Sequence, residues 1–123
     1  MNEKRRERIG TEIKKVVSEA LQDGLKDPKI HPLTSVMQVR VTNDLSFANI
    51  YISVMGTEKE KEETIQALER AKGYIRKMIS REIDLRHTPD PKFILDNSIE
   101  DSQDIHALIQ KVRVEDDKRH VES

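Results

Sequence analysis

The 123-residue sequence contains no cysteine and no tryptophan, and only 3% of its residues are aromatic. Without cysteine, a disulfide framework, a thiolate metal site and a cysteine nucleophile are all excluded. No stretch approaches the ~18 apolar residues of a membrane span, and the opening MNEKRRERIG has no apolar signal-peptide core. From these absences we expect a cytoplasmic protein without a membrane partner. The length suits one compact domain, and we expect one domain with a short tail.

Charged residues are plentiful, and their signs are unevenly distributed along the chain. They make up 37% of the residues, whereas about 25% is typical, and the formal net charge is -1. Residues 70–86 contain six basic and two acidic side chains, whereas residues 96–123 contain eight acidic and four basic ones. Because binding of a polyanion depends on where charges lie, the basic middle is compatible with a nucleic-acid partner.

Residue patterns for metal binding or catalysis are weak. The four histidines share no ligand spacing, and no glycine-rich phosphate loop is present. We therefore expect no metal and no cofactor. The least implausible catalytic set, His87 with Asp84 or Asp90, has no accompanying nucleophile, so an enzyme is the less favoured hypothesis.

A helix is predicted over residues 4–23 by its apolar spacing, with Gly24 as its end. Its opposite face carries a basic stripe of Lys4, Arg8 and Lys15, which is flanked by Arg5 and Arg6 near the start of the helix. The helix dipole disfavours cations at this end, so they indicate a partner or a solubility role. The apolar positions are Ile9, Ile13, Val16, Val17, Ala20 and Leu21.

Two strands are predicted after the loop KDPKIHP, because apolar and polar residues alternate in LTSVMQVRVT and again in FANIYISV. The turn residues NDLS between them indicate an antiparallel hairpin. In the first strand we expect the core to receive Leu33, Met37, Val39 and Val41. In the second we expect it to receive Ala48, Ile50, Ile52 and Val54.

A kinked pair of helices is predicted next. Thr57 and Glu60 have the spacing of a capping box, and an apolar stripe at helical spacing runs from Ile65 to Ile83 through Gly73. A third strand, LRH and then KFILD, is interrupted by Pro89 and Pro91. The segment SIEDSQDIHALIQKV predicts a last helix, and residues 113–123 form a charged tail expected to be disordered. The order predicts an α+β fold in two layers.

The strongest functional pattern lies on the polar side of the kinked helices. Basic and aromatic residues recur there at i, i+4, i+7 and i+11: Arg70, Tyr74, Lys77 and Arg81. Cations neutralise phosphates and a ring can stack on an unpaired base, although an ordinary solvated helix face gives the same spacing. Gly73, between Lys72 and Arg76, either lets RNA approach the backbone or serves helix packing, and the spacing leaves both open.

Several stretches together resemble the ribosome-binding factor A family, bacterial assembly factors of the small ribosomal subunit. In chain order they are RRERIGTEIKKVVSEAL, KDPKI, VTNDLSFANIYISVMG, ALERAKGYIRKMISREIDLRHTP and FILDNSIEDSQDIHALI, and the resemblance covers roughly residues 3–112. The resemblance implies a KH-like domain of type II, with the AxG kink Ala71-Lys72-Gly73 in place of the GxxG loop, plus a C-terminal helix. In PDPKF, Pro91 replaces the family's usual leucine, which puts the strand pairing there in question.

The resemblance also implies a function and a surface. Family members are non-enzymatic and bind the immature small subunit and its rRNA during late maturation and rRNA 5' end processing, with their greatest importance in the cold. We therefore expect a monomer that binds free subunits rather than translating ribosomes. The RNA-binding residues would be Arg70, Lys72, Gly73, Tyr74, Arg76, Lys77 and Arg81, with Lys4, Arg5 and Arg8 as a second contact. The alternative is a module that docks on a ribosomal protein or another assembly factor without touching RNA.

Overall fold

The first helix, α1, spans Glu3–Glu19 in the computed structural model, which describes residues 2–97 of the chain. The side chain of Asn2 caps its start by accepting hydrogen bonds from the N–H groups of Lys4 and Arg5. A π-helical turn, Ala20–Gly24, extends it, and the N–H of Leu25 donates to the carbonyl oxygen of Ala20 at 2.9 Å. The predicted helix therefore forms, with a wider last turn.

The hairpin consists of β1, Thr34–Val41, and β2, Phe47–Val54, paired antiparallel. In β2 the predicted inward residues are buried, but in β1 the predicted set is partly wrong. A β-bulge between Val36 and Gln38 shifts the alternation, so that Val36 is buried and Leu33 is 62% exposed. Because the bulge adds one residue to β1, the positions that face the core before the bulge and after it do not follow one alternating pattern.

The two helices that follow are α2, Glu58–Arg70, and α3, Lys72–Glu82. The predicted capping box is confirmed, because Thr57 and Glu60 exchange side chain to backbone hydrogen bonds at the start of α2. Ala71 joins the helices with φ −89° and ψ 3°, outside the helical well, which produces the predicted kink. The carbonyl oxygen of Ala71 still accepts the N–H of Ile75 at 3.0 Å, so α3 begins at once.

The third strand, β3, spans Asp90–Leu95 and pairs parallel with β2, giving the sheet order β1-β2-β3. The predicted strand at LRH, residues 85–87, is wrong, because this segment connects α3 to β3 without strand pairing. Pro91 lies inside β3 opposite Ala48 and is fully buried. Its pairing is possible because the N–H of Asp90 points toward β2 and donates to the carbonyl oxygen of Ser46, just before that strand, so the nitrogen of the next residue faces away from β2.

The core lies between the sheet and the helices, since α1 packs on β1 and both α2 and α3 contact β3. Its fully buried residues include Ile13, Ile50, Ile52, Leu68, Ile75 and Ile79. At Gly10, α1 approaches β1 so closely that an added Cβ would lie 2.6 Å from the carbonyl oxygen of Val39.

These two layers confirm the predicted α+β fold. Among residues 2–97, no helix has the length and apolar character that crossing a membrane requires. The predicted C-terminal helix and the predicted tail, residues 113–123, lie outside the described residues.

Candidate nucleic-acid interface

The kinked helices present one apolar and one polar face, as the spacing predicts. Ile75 and Ile79 on α3 are fully buried against the sheet and α1. The predicted residues of the opposite face, Arg70, Tyr74, Lys77 and Arg81, are all exposed, and Tyr74 keeps 46% of its surface accessible. An exposed ring among cations can stack on an unpaired base.

Gly73 lies exposed in the first turn of α3. Its φ is not positive, so the backbone conformation does not require glycine there. A Cβ built at this position meets no atom within 4 Å among the described residues. Helix packing against this part of the protein therefore does not account for the glycine, and the sequence alternative that invoked packing finds no support in residues 2–97.

The start of α3 has no side-chain cap, since Ala71 occupies the capping position. Helix starts carry N–H groups without helical acceptors and a partial positive charge. The uncapped start and the bare Gly73 thus lie next to each other, where a phosphate could approach the backbone.

The three predicted cations within three residues of Gly73 are already engaged in ion pairs. Arg70 contacts Asp27 at 3.0 Å, and the Nζ of Lys72 lies 3.0 Å from Glu69 Oε1. On α3, Arg76 pairs with Asp90 at 3.2 Å and also donates to the carbonyl oxygen of Thr88 at 3.3 Å. A phosphate that contacts these cations must compete with a carboxylate.

Lys77 and Arg81 differ from these three cations. Both are exposed, and within residues 2–97 neither side chain forms an ion pair or a hydrogen bond to a carboxylate. Among the predicted RNA-binding cations of the kinked helices, they are therefore the two without a carboxylate partner within residues 2–97.

Asp27 belongs to a loop, residues 26–32, that is fixed on α2. The buried Thr64 hydroxyl accepts the N–H of His31 at 3.1 Å and lies 3.3 Å from the carbonyl oxygen of Lys29. The Asp27 carboxylate accepts the N–H of Lys29 at 2.9 Å. This bond, and after it the hydrogen bond from Arg70, lower the pKa of Asp27 below its ordinary value, so the carboxylate stays ionised.

The predicted second contact lies on α1. Lys4, Arg5 and Arg8 are exposed, and their side chains make no ion pair with the described residues. Although α1 packs against α3, no hydrogen bond or ion pair in residues 2–97 links these cations to those of the kink. The two groups remain separate predicted contacts.

The sequence interpretation missed the acidic partners Asp27, Glu69 and Asp90. The Glu69 pair was accessible from the sequence, because residues three apart on a helix are neighbours. The pair between Asp27 and Arg70 joins residues 43 positions apart, and local spacing contains no signal for it.

The alternative catalytic set is not assembled. His87 is exposed and forms no hydrogen bond with Asp84 or Asp90, and Asp90 contacts Arg76 instead. Within residues 2–97 no three His, Cys, Asp or Glu side chains are grouped to hold a metal ion. A groove of about 670 Å³ between α1 and β1 is lined by none of the predicted RNA-binding residues.

Comparison with known proteins shows which family the chain resembles. The family model described as ribosome-binding factor A matches residues 5–109. The ribosome-binding factor A of Finegoldia magna is 47% identical over 116 residues, which cover 94% of this chain and 96% of that relative. That of Alkaliphilus metalliredigens is 47% identical over 109 residues, covering 89% of this chain and 79% of the relative.

Solved structures agree with the sequence relatives. The crystal structure of ribosome-binding factor A from Thermus thermophilus has a TM-score of 0.65 at 26% identity and covers 73% of this chain and 94% of that chain. A homology model of the Thermus thermophilus factor, fitted into the cryo-EM map of its complex with the 30S subunit, has a TM-score of 0.62 at 25% identity and covers 75% of this chain and 96% of that chain. The fold is therefore KH-like, and the chain belongs to the ribosome-binding factor A family.

Proposed function

We propose that this protein is a non-enzymatic assembly factor that binds the immature small ribosomal subunit and its rRNA. It acts during late maturation and rRNA 5' end processing, in the cytoplasm, as a monomer on free subunits, and it matters most in the cold. Membership of the ribosome-binding factor A family supports the partner, as does the fitting of a Thermus thermophilus relative into the map of a 30S complex.

The observation that carries the proposed surface is the exposed Gly73 in the kink. Glycine in a helical turn costs stability relative to alanine, and neither backbone conformation nor packing within residues 2–97 requires it. Gly73 lowers the stability of the helix, and no contact or backbone conformation among the described residues requires it. Such a residue is expected at a site where a ligand approaches the backbone.

Each side chain of the surface has a definite role in this proposal. Lys77 and Arg81 neutralise phosphates, while Tyr74 stacks on an unpaired base. Ala71, Lys72 and Gly73 shape the kink that admits the RNA backbone, with Arg70 and Arg76 on either side. The cations of α1, Lys4, Arg5 and Arg8, make the second contact.

Co-sedimentation with immature subunits, mature subunits and protein-free precursor rRNA tests this function. We expect binding to immature subunits and to the rRNA, and weakened binding by the Tyr74→Ala/Lys77→Ala/Arg81→Ala variant. Lys59→Ala, an exposed cation at the other end of α2, serves as the control. Binding to subunits but not to protein-free rRNA would favour the alternative of a protein-docking module, and no binding to subunits would refute the proposal.

A further inference from the structure

Three acidic side chains hold the three basic side chains nearest to Gly73. The pairs are Asp27 with Arg70 at 3.0 Å, Glu69 with Lys72 at 3.0 Å and Asp90 with Arg76 at 3.2 Å. They come from three different places in the fold: the loop before β1, the last turn of α2 and the start of β3. Cations further along α3, Lys77 and Arg81, have no such partner among the described residues.

Asp27 is positioned independently of the arginine that it holds. Its loop is attached to α2 through the buried Thr64, and its carboxylate accepts the N–H of Lys29 at 2.9 Å. The carboxylate would therefore stay beside Arg70 if the guanidinium moved to a phosphate. It would then repel that phosphate, and it would recapture the arginine when the phosphate left.

We propose that Asp27, Glu69 and Asp90 set the affinity of the kink surface by competing with RNA phosphates for Arg70, Lys72 and Arg76. This inference rests on the proposed function and adds an internal competitor to it. Since exposed ion pairs are weak, each pair lowers affinity only modestly.

A double-mutant cycle distinguishes competition from simple repulsion of RNA by negative charge. Asp27→Asn keeps an acceptor for the N–H of Lys29 while removing the charge, so the loop is expected to stay in place. We expect it to tighten binding to immature small subunits by about twofold to fivefold. In an Arg70→Ala background the same change should have much less effect, because the competed cation is gone.

Control variants separate local competition from a change in net charge. Glu12, Glu19 and Glu62 are exposed and form no ion pair within the described residues, so Glu→Gln at each removes one charge without releasing a cation. We expect these variants to bind close to wild type. The pair of Glu69 and Lys72 allows the same cycle with Glu69→Gln and Lys72→Ala, should Asp27→Asn unfold.

The outcomes are separable. The competition would be overturned if Asp27→Asn changed the affinity for immature subunits equally with and without Arg70. It would also be overturned if neutralising a control glutamate changed the affinity as much as neutralising Asp27. Either result would leave the proposed function intact. A wild-type protein that binds neither subunits nor rRNA would overturn the proposed function itself, and the competition with it.

Discussion

At the scale of single residues, two glycines in helices have opposite surroundings. Gly73 is exposed with no atom near its missing Cβ among the described residues, whereas Gly10 faces the carbonyl oxygen of Val39 on β1. Both positions are helical, so the same substitution by alanine gains helix propensity at each. The environment alone should decide the sign of the effect.

For Gly73→Ala we expect a more stable protein that binds less well. The free energy of unfolding should rise by about 0.4 to 1 kcal/mol, because alanine restricts the unfolded chain and meets no clash. Binding to immature subunits should weaken by about tenfold, equivalent to about 1.4 kcal/mol, because the methyl group occupies the approach path. Urea unfolding and subunit binding on the same preparation check both. A destabilised variant, or unchanged binding, would contradict this role.

For Gly10→Ala we expect destabilisation. The new Cβ would lie 2.6 Å from a backbone oxygen, so α1 must move away from β1. Overpacking of this kind costs about 1 to 3 kcal/mol, more than the helix propensity gained, so the urea midpoint should fall. Together the two variants form a matched pair, and equal shifts in stability would show that packing at Gly10 is looser than the structure indicates.

At the scale of secondary-structure elements, the loop before β1 is attached to α2 by the buried hydroxyl group of Thr64, in addition to exposed ion pairs such as Lys29 with Glu63 and Asp27 with Arg70. Thr64 is fully buried, accepts the N–H of His31 and donates to the carbonyl oxygen of Glu60 at 2.8 Å. The N–H of His31 is partly buried, so losing its acceptor leaves it incompletely hydrogen-bonded and costs stability. This contact therefore holds the loop that presents Asp27 to Arg70.

Thr64→Val should remove that acceptor while keeping the shape of the side chain. We expect the free energy of unfolding to fall by about 1 to 3 kcal/mol and the His31 amide to exchange faster with solvent. Thr11→Val is the control, because Thr11 is exposed on α1, and it should change stability by less than about 0.5 kcal/mol. Indistinguishable effects of the two variants would contradict the anchoring role.

Three carboxylates at turns and helix starts predict how stability depends on pH. Backbone N–H groups lower the pKa of each below its ordinary value: Lys29 acts on Asp27, Ser46 on Asp44 and Thr57 on Glu60. Groups with a lowered folded-state pKa stabilise the fold above their ordinary pKa, near 4, and lose this contribution as the pH falls through the lowered value.

Urea midpoints should therefore decrease on acidification from about pH 5 toward pH 2. Glu60→Gln and Asp44→Asn should each flatten this decrease, because a neutral side chain has no such proton linkage. Glu12→Gln removes a carboxylate that has no hydrogen bond within the described residues, and it is the control. If the urea midpoints of the Glu60 and Asp44 variants fall with pH as steeply as those of the wild type, these two carboxylates do not contribute to the pH dependence of stability.

The elements were predictable from the sequence where the signal is local. The capping box at Thr57 and the apolar stripe through Gly73 specify α2, the kink and α3 without reference to the rest of the chain. The bulge in β1 was not predictable, since Val36 and Met37 are both apolar and either can continue the alternation. Partners distant in the chain, such as Asp27 and Arg70, were likewise beyond local spacing.

At the scale of the whole molecule, the KH-like fold presents two kinds of cation near the kink, those paired with carboxylates and those without such a partner among the described residues. Arg70, Lys72 and Arg76 are held by acids, whereas Lys77 and Arg81 have no ion pair within residues 2–97. The predicted division into a domain, residues 1–112, and a tail stays a prediction. A net charge near zero is compatible with the proposed RNA surface, because basic and acidic residues are unevenly distributed along the sequence.

The central claim is that the exposed face of α3 binds rRNA phosphates, and the salt dependence of binding to immature small subunits tests it most directly. Each phosphate contact contributes about 0.7 to 0.9 to the slope of log affinity against log salt concentration. Lys77→Ala/Arg81→Ala should therefore reduce the slope by about 1.4 to 1.8, whereas the control Lys14→Ala/Lys59→Ala, with the same loss of charge, should leave it nearly unchanged. An unchanged slope in the Lys77→Ala/Arg81→Ala variant, or an equal reduction in both variants, would contradict the account.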